Sequence, residues 1–393
     1  MVSRRTMLAG GAGAVLIAGA GYRIWDRGVF SGPQGTAYAP WSEWRGSVVD
    51  GLKQPLRAAI LAANPHDTQP WLFELRDEAI TVYADRARNL GAFDPFRREM
   101  HLGLGAAIEN LVRAAGVDGY TAYVRPVAGR LKNSPGPEPV VVAHITMDPG
   151  APARDPLFEA IPDRHTNRGV YLEKPVAANV LRGLADLVSS NDVRVAFITD
   201  PKARGDMGSL IIEATQRIID DPDMSLASAH WMRTGRREVE AHPDGITIDA
   251  AGVSPLVTIF GKIMPDQTPH STDQYWIANT RDTQVHAPVL GVLLVKDRLD
   301  MAQSIDAGRA WQRLHLAVAA LGIAAQPLNQ PVECVDRNEM LGRPDAFQNA
   351  LVKFADAQGW QPTFTFRLGC AEKPALPSPR RPLNDVLKSS GLA

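Results

Sequence analysis

Hydrophobic and polar positions alternate in a pattern that is written twice along this chain. Leu56–Leu75 reads LRAAILAANPHDTQPWLFEL: apolar residues recur at helical spacing, a polar turn covers Asn64–Thr68, and a short apolar strand follows. Leu181–Asp200, LRGLADLVSSNDVRVAFITD, repeats that order, with Ser189–Asp192 as its turn. A second pair reinforces the first. Gly105–Gly119 and Gly308–Gly322 each open on Gly, run as an apolar-striped helix and end on Gly, the residue suited to the position after a helix. Candidate strands follow each, at Tyr120–Val124 and Ile323–Gln326, and each half closes with another, at Val140–Met147 and Thr363–Leu368. The pattern predicts a mixed α+β fold and excludes a regular βαβ alternation.

The second half has a long stretch, about 221–282, without a counterpart of similar length. It is punctuated by Gly and Pro and carries Trp231 and Met232. So long a segment is expected to be partly helical and to serve as a lid, with Trp231 and Met232 either closing over a flat ring or filling a satellite core. A strand at about Pro288–Lys296 follows it. The expected organisation is an address and linker over 1–40, a first half over 41–160 and a second half over 161–393.

Composition narrows the function classes. With 393 residues, 45% hydrophobic and 22% charged, the chain is neither a disordered protein nor a coiled coil. Forty-two basic against 43 acidic side chains leave a net charge of −1, which argues against nucleic acid as a partner. Two cysteines, Cys334 and Cys370, exclude a disulfide framework and a Cys-rich zinc site but leave one bridge open.

Residues 1–21 read MVSRRTMLAGGAGAVLIAGAG. Arg4 and Arg5 followed by Thr6, Met7 and Leu8 resemble a twin-arginine export signal, with an uncleaved anchor as the other reading. The glycines there follow no strand, so they do not form a dinucleotide fingerprint. The expected location is exported, either periplasmic or anchored facing the envelope, with the twin-arginine translocase as a partner. Residues from Trp25 to about Trp44 read as a linker.

Four segments carry candidate chemistry. Pro65, His66, Asp67, Thr68 and Gln69 sit in a Pro-bounded turn between helix and strand, where ligands are often held; an ordinary Asx-type turn is the plainer reading. Arg164, His165, Thr166 and Arg168 offer guanidinium forks and a hydroxyl to a phosphate, or form a solvated basic turn. Pro327, Leu328, Asn329 and Gln330 form a Pro-bracketed turn able to present backbone amides. Arg380 and Arg381 form a basic pair near the carboxyl end. No P-loop and no HExxH metal motif accompanies them.

Together these segments resemble the nitroreductase superfamily of FMN-binding proteins, from about residue 42 onward. The most specific pieces are AANPHDTQPWLF (Ala62–Phe73) and RHTNR (Arg164–Arg168); the Acg-like branch shares NPH-x-TQPW and RHTNR, with Asp67 standing where Asn is more usual. The resemblance implies a nitroreductase-like fold duplicated within one chain, a fused pseudo-dimer that acts as a monomer and keeps one of two flavin sites. The first half has the Gln-Pro-Trp turn but only Trp44-Arg45-Gly46 in place of the Arg-rich grip. The second half has the grip but Ser189–Asp192 in place of that turn. The implied cofactor is FMN, clamped at its phosphate by Arg164, Thr166, Arg380 and Arg381. Arg168 would reach its ribityl chain or pyrimidine edge, and Asn329 or Gln330 would offer an N–H to its N5. No protein nucleophile is needed, because the flavin carries the electrons from NAD(P)H to a nitroaromatic or quinone acceptor. Two other readings stand beside this one: a flavin-sequestering protein without turnover, and a cofactor-free relic.

Overall fold

The computed structural model describes residues 22, 24–45, 51–134, 136–263 and 268–388. The export-signal reading of residues 1–21 and Gly46 of the reduced grip lie outside them. A four-stranded and a five-stranded antiparallel sheet organise the rest, the fifth strand being the short Tyr171–Leu172, which pairs with Cys370 and Ala371. The first half runs α1 (Lys53–Ala59), β1 (Trp71–Arg76), β2 (Ala79–Ala84), α2 (Arg98–Val117), β3 (Tyr120–Pro126) and β4 (Val140–Pro149). The second half runs α3 (Ala178–Val188), β5 (Val193–Ile198), α4 (Pro201–Ile219), α5 (Pro222–Ala229), α6 (Pro269–Asn279), β6 (Val289–Val295), α7 (Met301–Ala320), β7 (Ala324–Pro327), α8 (Gln330–Met340) and β8 (Gln361–Ala371).

The strand order is β1-β2-β4-β3 in one sheet and β5-β6-β8-β7 in the other. These are the same order shifted by four strands, and every neighbouring pair is antiparallel in both. The same α+β arrangement is therefore present twice. β2, which pairs along its whole length with β1 and β4, was absent from the expected element list. It corresponds to β6.

The two central helices, α2 and α7, pack against each other through a matched pair of glycines. A Cβ on Gly105 would lie 2.1 Å from the carbonyl oxygen of Ile305, and one on Gly308 would lie 2.0 Å from that of Leu102. Leu102 precedes Gly105 by three residues, as Ile305 precedes Gly308. Residue i of one helix thus meets j′ of the other while i′ meets j, the signature of an approximate two-fold axis. Only glycine permits backbones this close, which explains why both helices carry it at the same place.

The halves diverge between their first two strands. In the first half, β1 and β2 form a hairpin through Asp77 and Glu78. In the second half, the chain from Ile198 to Val289 separates the equivalent strands and holds α4, α5, short helices at Arg236–Ala241 and Pro255–Ile263, and α6. The insertion thus begins with α4, earlier than its expected start near residue 221. The supposed linker packs on it: Arg237 pairs with Asp26 at 2.6 Å, Arg27 donates to Thr234 at 2.9 Å, and Lys262 donates to the carbonyls of Gly28 and Ser31. Trp231 lies in a buried cluster with Leu90, Phe93, Ile218 and Phe347, so it fills a satellite core and is not a cover for a ring. Cys334 and Cys370 are free thiols. Among the described residues no helix is long and apolar enough to cross a membrane.

Candidate functional site

The turn between α1 and β1 is strained. His66, Asp67 and Gln69 have φ of 47°, 53° and 50°, the left-handed region that His and Asp tolerate and Gln rarely enters. A dense set of bonds holds it there. The Asn64 carboxamide accepts from the Gln69 N–H at 2.7 Å and donates to Asp67 Oδ1 at 3.1 Å. The Gly245 N–H, from the insertion, donates to the Asp67 carbonyl at 3.1 Å. Gln69 Nε2 donates to the Pro243 carbonyl at 2.8 Å, and Gln69 Oε1 accepts from the Arg381 N–H at 2.7 Å. The turn is therefore fixed by the insertion and by the carboxyl-terminal segment together.

Beside it lies a polar pocket lined by Asn64, Asp67, Arg164, His165, Thr166, Arg168, Ser378 and Arg380. Three separate stretches of chain supply these residues, and each is positioned for a reason. Thr166 bridges to Ala325 and the Asn167 N–H donates to the Ala325 carbonyl, so the Arg164–Arg168 segment runs along the edge strand β7. Arg168 donates to the Ala250 carbonyl at 3.2 Å. Gly252 presses on it from the insertion, since a Cβ there would lie 2.3 Å from the Arg168 backbone. Arg380 donates to Asp67 Oδ1 at 2.5 Å and to Ser378 Oγ at 2.8 Å.

The pocket carries surplus positive charge. Arg164 is 2% exposed and is bonded to the Leu61 carbonyl and His315, not to a carboxylate. Burial and the neighbouring Arg380 push its pKa down to about 9. Burial lowers the pKa of Arg168 and Arg380 as well. Among the described residues, Asp67 is the one carboxylate paired with any of the three guanidiniums. Arg164 Nε and Arg380 Nε have no partner among the described residues. Burial and Arg164 hold His165 down to about 3, so it adds no charge. Three cations against one anion in this pocket suit an anionic ligand group.

A larger cavity of about 210 Å³ opens from this pocket. The two share Ala63, Asn64, Thr166, Arg168 and Ile246. Its wall is largely apolar, with Phe93, Leu102, Trp311, Pro327 and Phe364, and the insertion adds Met232, Tyr275 and Trp276. Pro65 and His66 line it from the strained turn. His66 meets the edge of Phe93 at 5.0 Å, and its Nε2 is 3.3 Å from Ser228 Oγ. Burial and Arg168 hold its pKa down to about 4, so it is neutral near pH 7. Asn329 and Gln330 line the cavity where α8 begins, and the Gln330 N–H is one of the helix's unpaired first-turn donors. Glu99 and Glu333 complete the wall.

Four of the expected site residues stand elsewhere. Thr68 is buried and lines neither space. Gln69 acts as a staple between segments. Leu328 packs in the core with Val332 and Trp360, because its place after β7 turns it away from the cavity. Arg381 donates to the carbonyls of Gln69 and Asp385, so it locks the turn and does not join the pocket. The remaining eleven, Pro65, His66, Asp67, Arg164, His165, Thr166, Arg168, Pro327, Asn329, Gln330 and Arg380, line one or both spaces. Missed altogether were Glu99, Glu333, Tyr275 and Trp276, none of which belongs to a recognisable motif.

No protein-family model matches the chain. It is 24% identical over 352 residues to "Putative NAD(P)H nitroreductase acg" of Mycobacterium tuberculosis, spanning 86% of this chain and 95% of that one. It is likewise 24% identical over 353 residues to the same organism's "Putative NAD(P)H nitroreductase Rv3131", at 86% and 91%. Among solved structures it is similar to the FMN-dependent nitroreductase NfnB from Mycobacterium smegmatis in complex with NADPH, with 18% identity, 60% of this chain, 98% of that chain and a TM-score of 0.38. A nitroreductase with bound FMN from Bacteroides fragilis gives 14%, 61%, 98% and 0.34.

Proposed function

We propose that this chain binds one FMN and works as a nitroreductase-type NAD(P)H oxidoreductase. One observation carries the reading: a buried pocket with surplus guanidinium charge opens directly into an apolar cavity with aromatic walls. A phosphate fits the first and a flat ring the second. The names of the two mycobacterial relatives support the electron donor. When bound, FMN would supply the two-electron chemistry between NAD(P)H and a nitroaromatic or quinone acceptor.

The chain's own residues do the rest. Arg164, Thr166, Arg168 and Arg380 would hold the phosphate end, with Asp67 aiming Arg380. The strained turn would fix one face of the ring through Pro65 and His66. The Gln330 N–H would bond the ring edge. Trp311, Phe364 and Trp276 would exclude water. The test is flavin released per polypeptide on denaturation, followed by NADH and NADPH oxidation with a quinone. One flavin per chain and sustained turnover are expected. A colourless chain that takes up no FMN, or two flavins per chain, overturns the reading.

A second reading, FMN held without turnover, draws on the insertion, which supplies Met232, Tyr275 and Trp276 to the wall. Bound flavin without NAD(P)H oxidation would favour it. We further propose that the chain acts as a monomer and is exported through the twin-arginine route, with boundaries near residues 40 and 160. Cell fractionation of Arg4→Lys/Arg5→Lys against the parent tests the export step.

A further inference from the structure

The cavity wall contains a pair of carboxyl groups that no part of the flavin grip uses. Glu99 comes from α2 of the first half and Glu333 from α8 of the second. Both are at least nine-tenths buried and both line the cavity. Glu99 is among the groups that push the Glu333 carboxyl up. Two buried acids on one cavity wall favour a proton on one of them over two like charges. Glu99 Oε1 accepts from Asn329 Nδ2 and, at 3.4 Å, from Arg98. Glu333 Oε2 has no hydrogen-bond donor among the described residues.

The charges around the pair do not neutralise it. Arg98 spends its guanidinium on Asp336 at 2.7 Å and on the Thr363 carbonyl at 2.5 Å. Arg298 faces Asp336 and Glu339. Asp94 caps the start of α2 through the N–H groups of Glu99 and Met100. Buried acids Asp94, Glu99, Glu333 and Asp336 thus face two guanidiniums, Arg98 and Arg298, one of which is also shared with Glu339. Burial and Asp94 hold Glu99 up to about 7, and burial with Glu99 holds Glu333 well above the ordinary carboxyl range. At the other charged site of the cavity, Arg168 and a neutral His66 add no carboxylate.

We infer that Glu99 and Glu333 share one proton and form the proton-donating subsite for an aromatic acceptor bearing a carbonyl oxygen, such as a quinone. The inference rests on the flavin reading above and deepens it. Reduction of a quinone to a hydroquinone takes two electrons and two protons. Bound FMN, once reduced, would supply the electron pair with one proton. The second proton comes from the pair: the carboxyl O–H bond breaks, the phenolic O–H bond forms, and the carboxylate is reprotonated from solvent. A neutral acid beside an apolar ring site is also a hydrogen-bond donor to the acceptor oxygen before any electron moves.

The test uses the full chain with FMN and 1,4-naphthoquinone as probe. Infrared difference spectra on pH change, with ¹³C-labelled glutamate, read the protonated carboxyl directly and need no turnover. A carboxylic-acid band that shifts on adding naphthoquinone and vanishes in Glu333→Gln is expected. In stopped flow, Glu333→Gln slows oxidation of the pre-reduced protein by naphthoquinone about a hundredfold and leaves reduction by NAD(P)H unchanged. In the parent that oxidation slows once pH rises far enough to strip the last proton from the pair. Glu99→Gln gives the same loss should the first variant fold poorly. Absence of the band in the parent, or an unchanged oxidation rate in a flavin-loaded variant, overturns the inference. Failure of the parent to bind FMN overturns the earlier reading instead.

Discussion

The turn after α1 and the turn after α3 occupy the same place in the two halves, and they have opposite characters. Asn64–Pro70 holds three left-handed residues, is largely buried and is bonded to the insertion and the carboxyl-terminal segment. Ser189–Asp192 is exposed and closed locally, the Ser190 hydroxyl accepting from the N–H groups of Asp192 and Val193. The grips differ in the same way. Arg164 is buried among partners from both halves, whereas Arg45 forms a surface pair with Glu159 and lies over Trp44 and Phe158. Yet at the helix pair the halves match glycine for glycine. Symmetry is kept where backbones must touch and lost where a ligand needs different chemistry on its two sides.

The helix pair offers the harshest way to test that contrast. Gly105→Ala and Gly308→Ala should each destabilise the chain by about 3 kcal/mol or more, and by similar amounts, because each methyl would strike a backbone carbonyl. Urea unfolding of the two variants measures this, and a large difference between them would break the symmetry. The grips come next. Arg164→Ala should cost roughly 1.5–3 kcal/mol of FMN affinity, about ten- to a hundredfold, whereas Arg45→Ala should change it little. Fluorescence titration with FMN decides, and equal losses would remove the assignment of the site to the second half's grip. The turns give a smaller contrast. Gln69→Ala leaves the Arg381 N–H without its acceptor and should cost about 1–3 kcal/mol of stability; Ser190→Ala, on an exposed turn, should cost under about 0.5.

A pH titration sharpens the comparison least but still separates the turns. His66 has its folded pKa lowered to about 4, so between there and its ordinary 6.5 the unfolded chain binds a proton that the folded chain refuses. Stability should therefore fall as pH drops through that window. His66→Asn, which tolerates the same backbone, should flatten the melting-temperature profile there; an unchanged slope would assign the effect to the other buried histidines, His101, His165 and His315.

Much of this architecture was legible because periodicity and glycine placement are local signals. The central helices, seven of the eight main strands and the two chemistry-bearing turns could be read that way. What escaped reading depends on contacts far apart in the chain. α2 begins at Arg98 and not Gly105 because Arg98 finds Asp336, 238 positions away. Glu99 and Glu333 look like surface acids on helices until those helices meet. Arg381 shares its motif with Arg380, yet one faces the pocket and the other braces the turn, a split that adjacent residues on an extended segment make whenever one side is occupied. Trp231 was readable as large and apolar, but its destination was set by Leu90 and Phe93 from the other half.

The polar pocket draws on Asp67, Arg164, Gly245 and Arg380, which the ribosome delivers in that order. Arg380 arrives last of these, after both sheets and both central helices have been made. A nascent chain can therefore assemble the scaffold while its anion grip still lacks the guanidinium that Asp67 is poised to receive. Completion of the grip becomes a late event in the life of each molecule, and premature termination between Ala371 and Arg380 yields a product that retains both halves of the scaffold but not the complete grip.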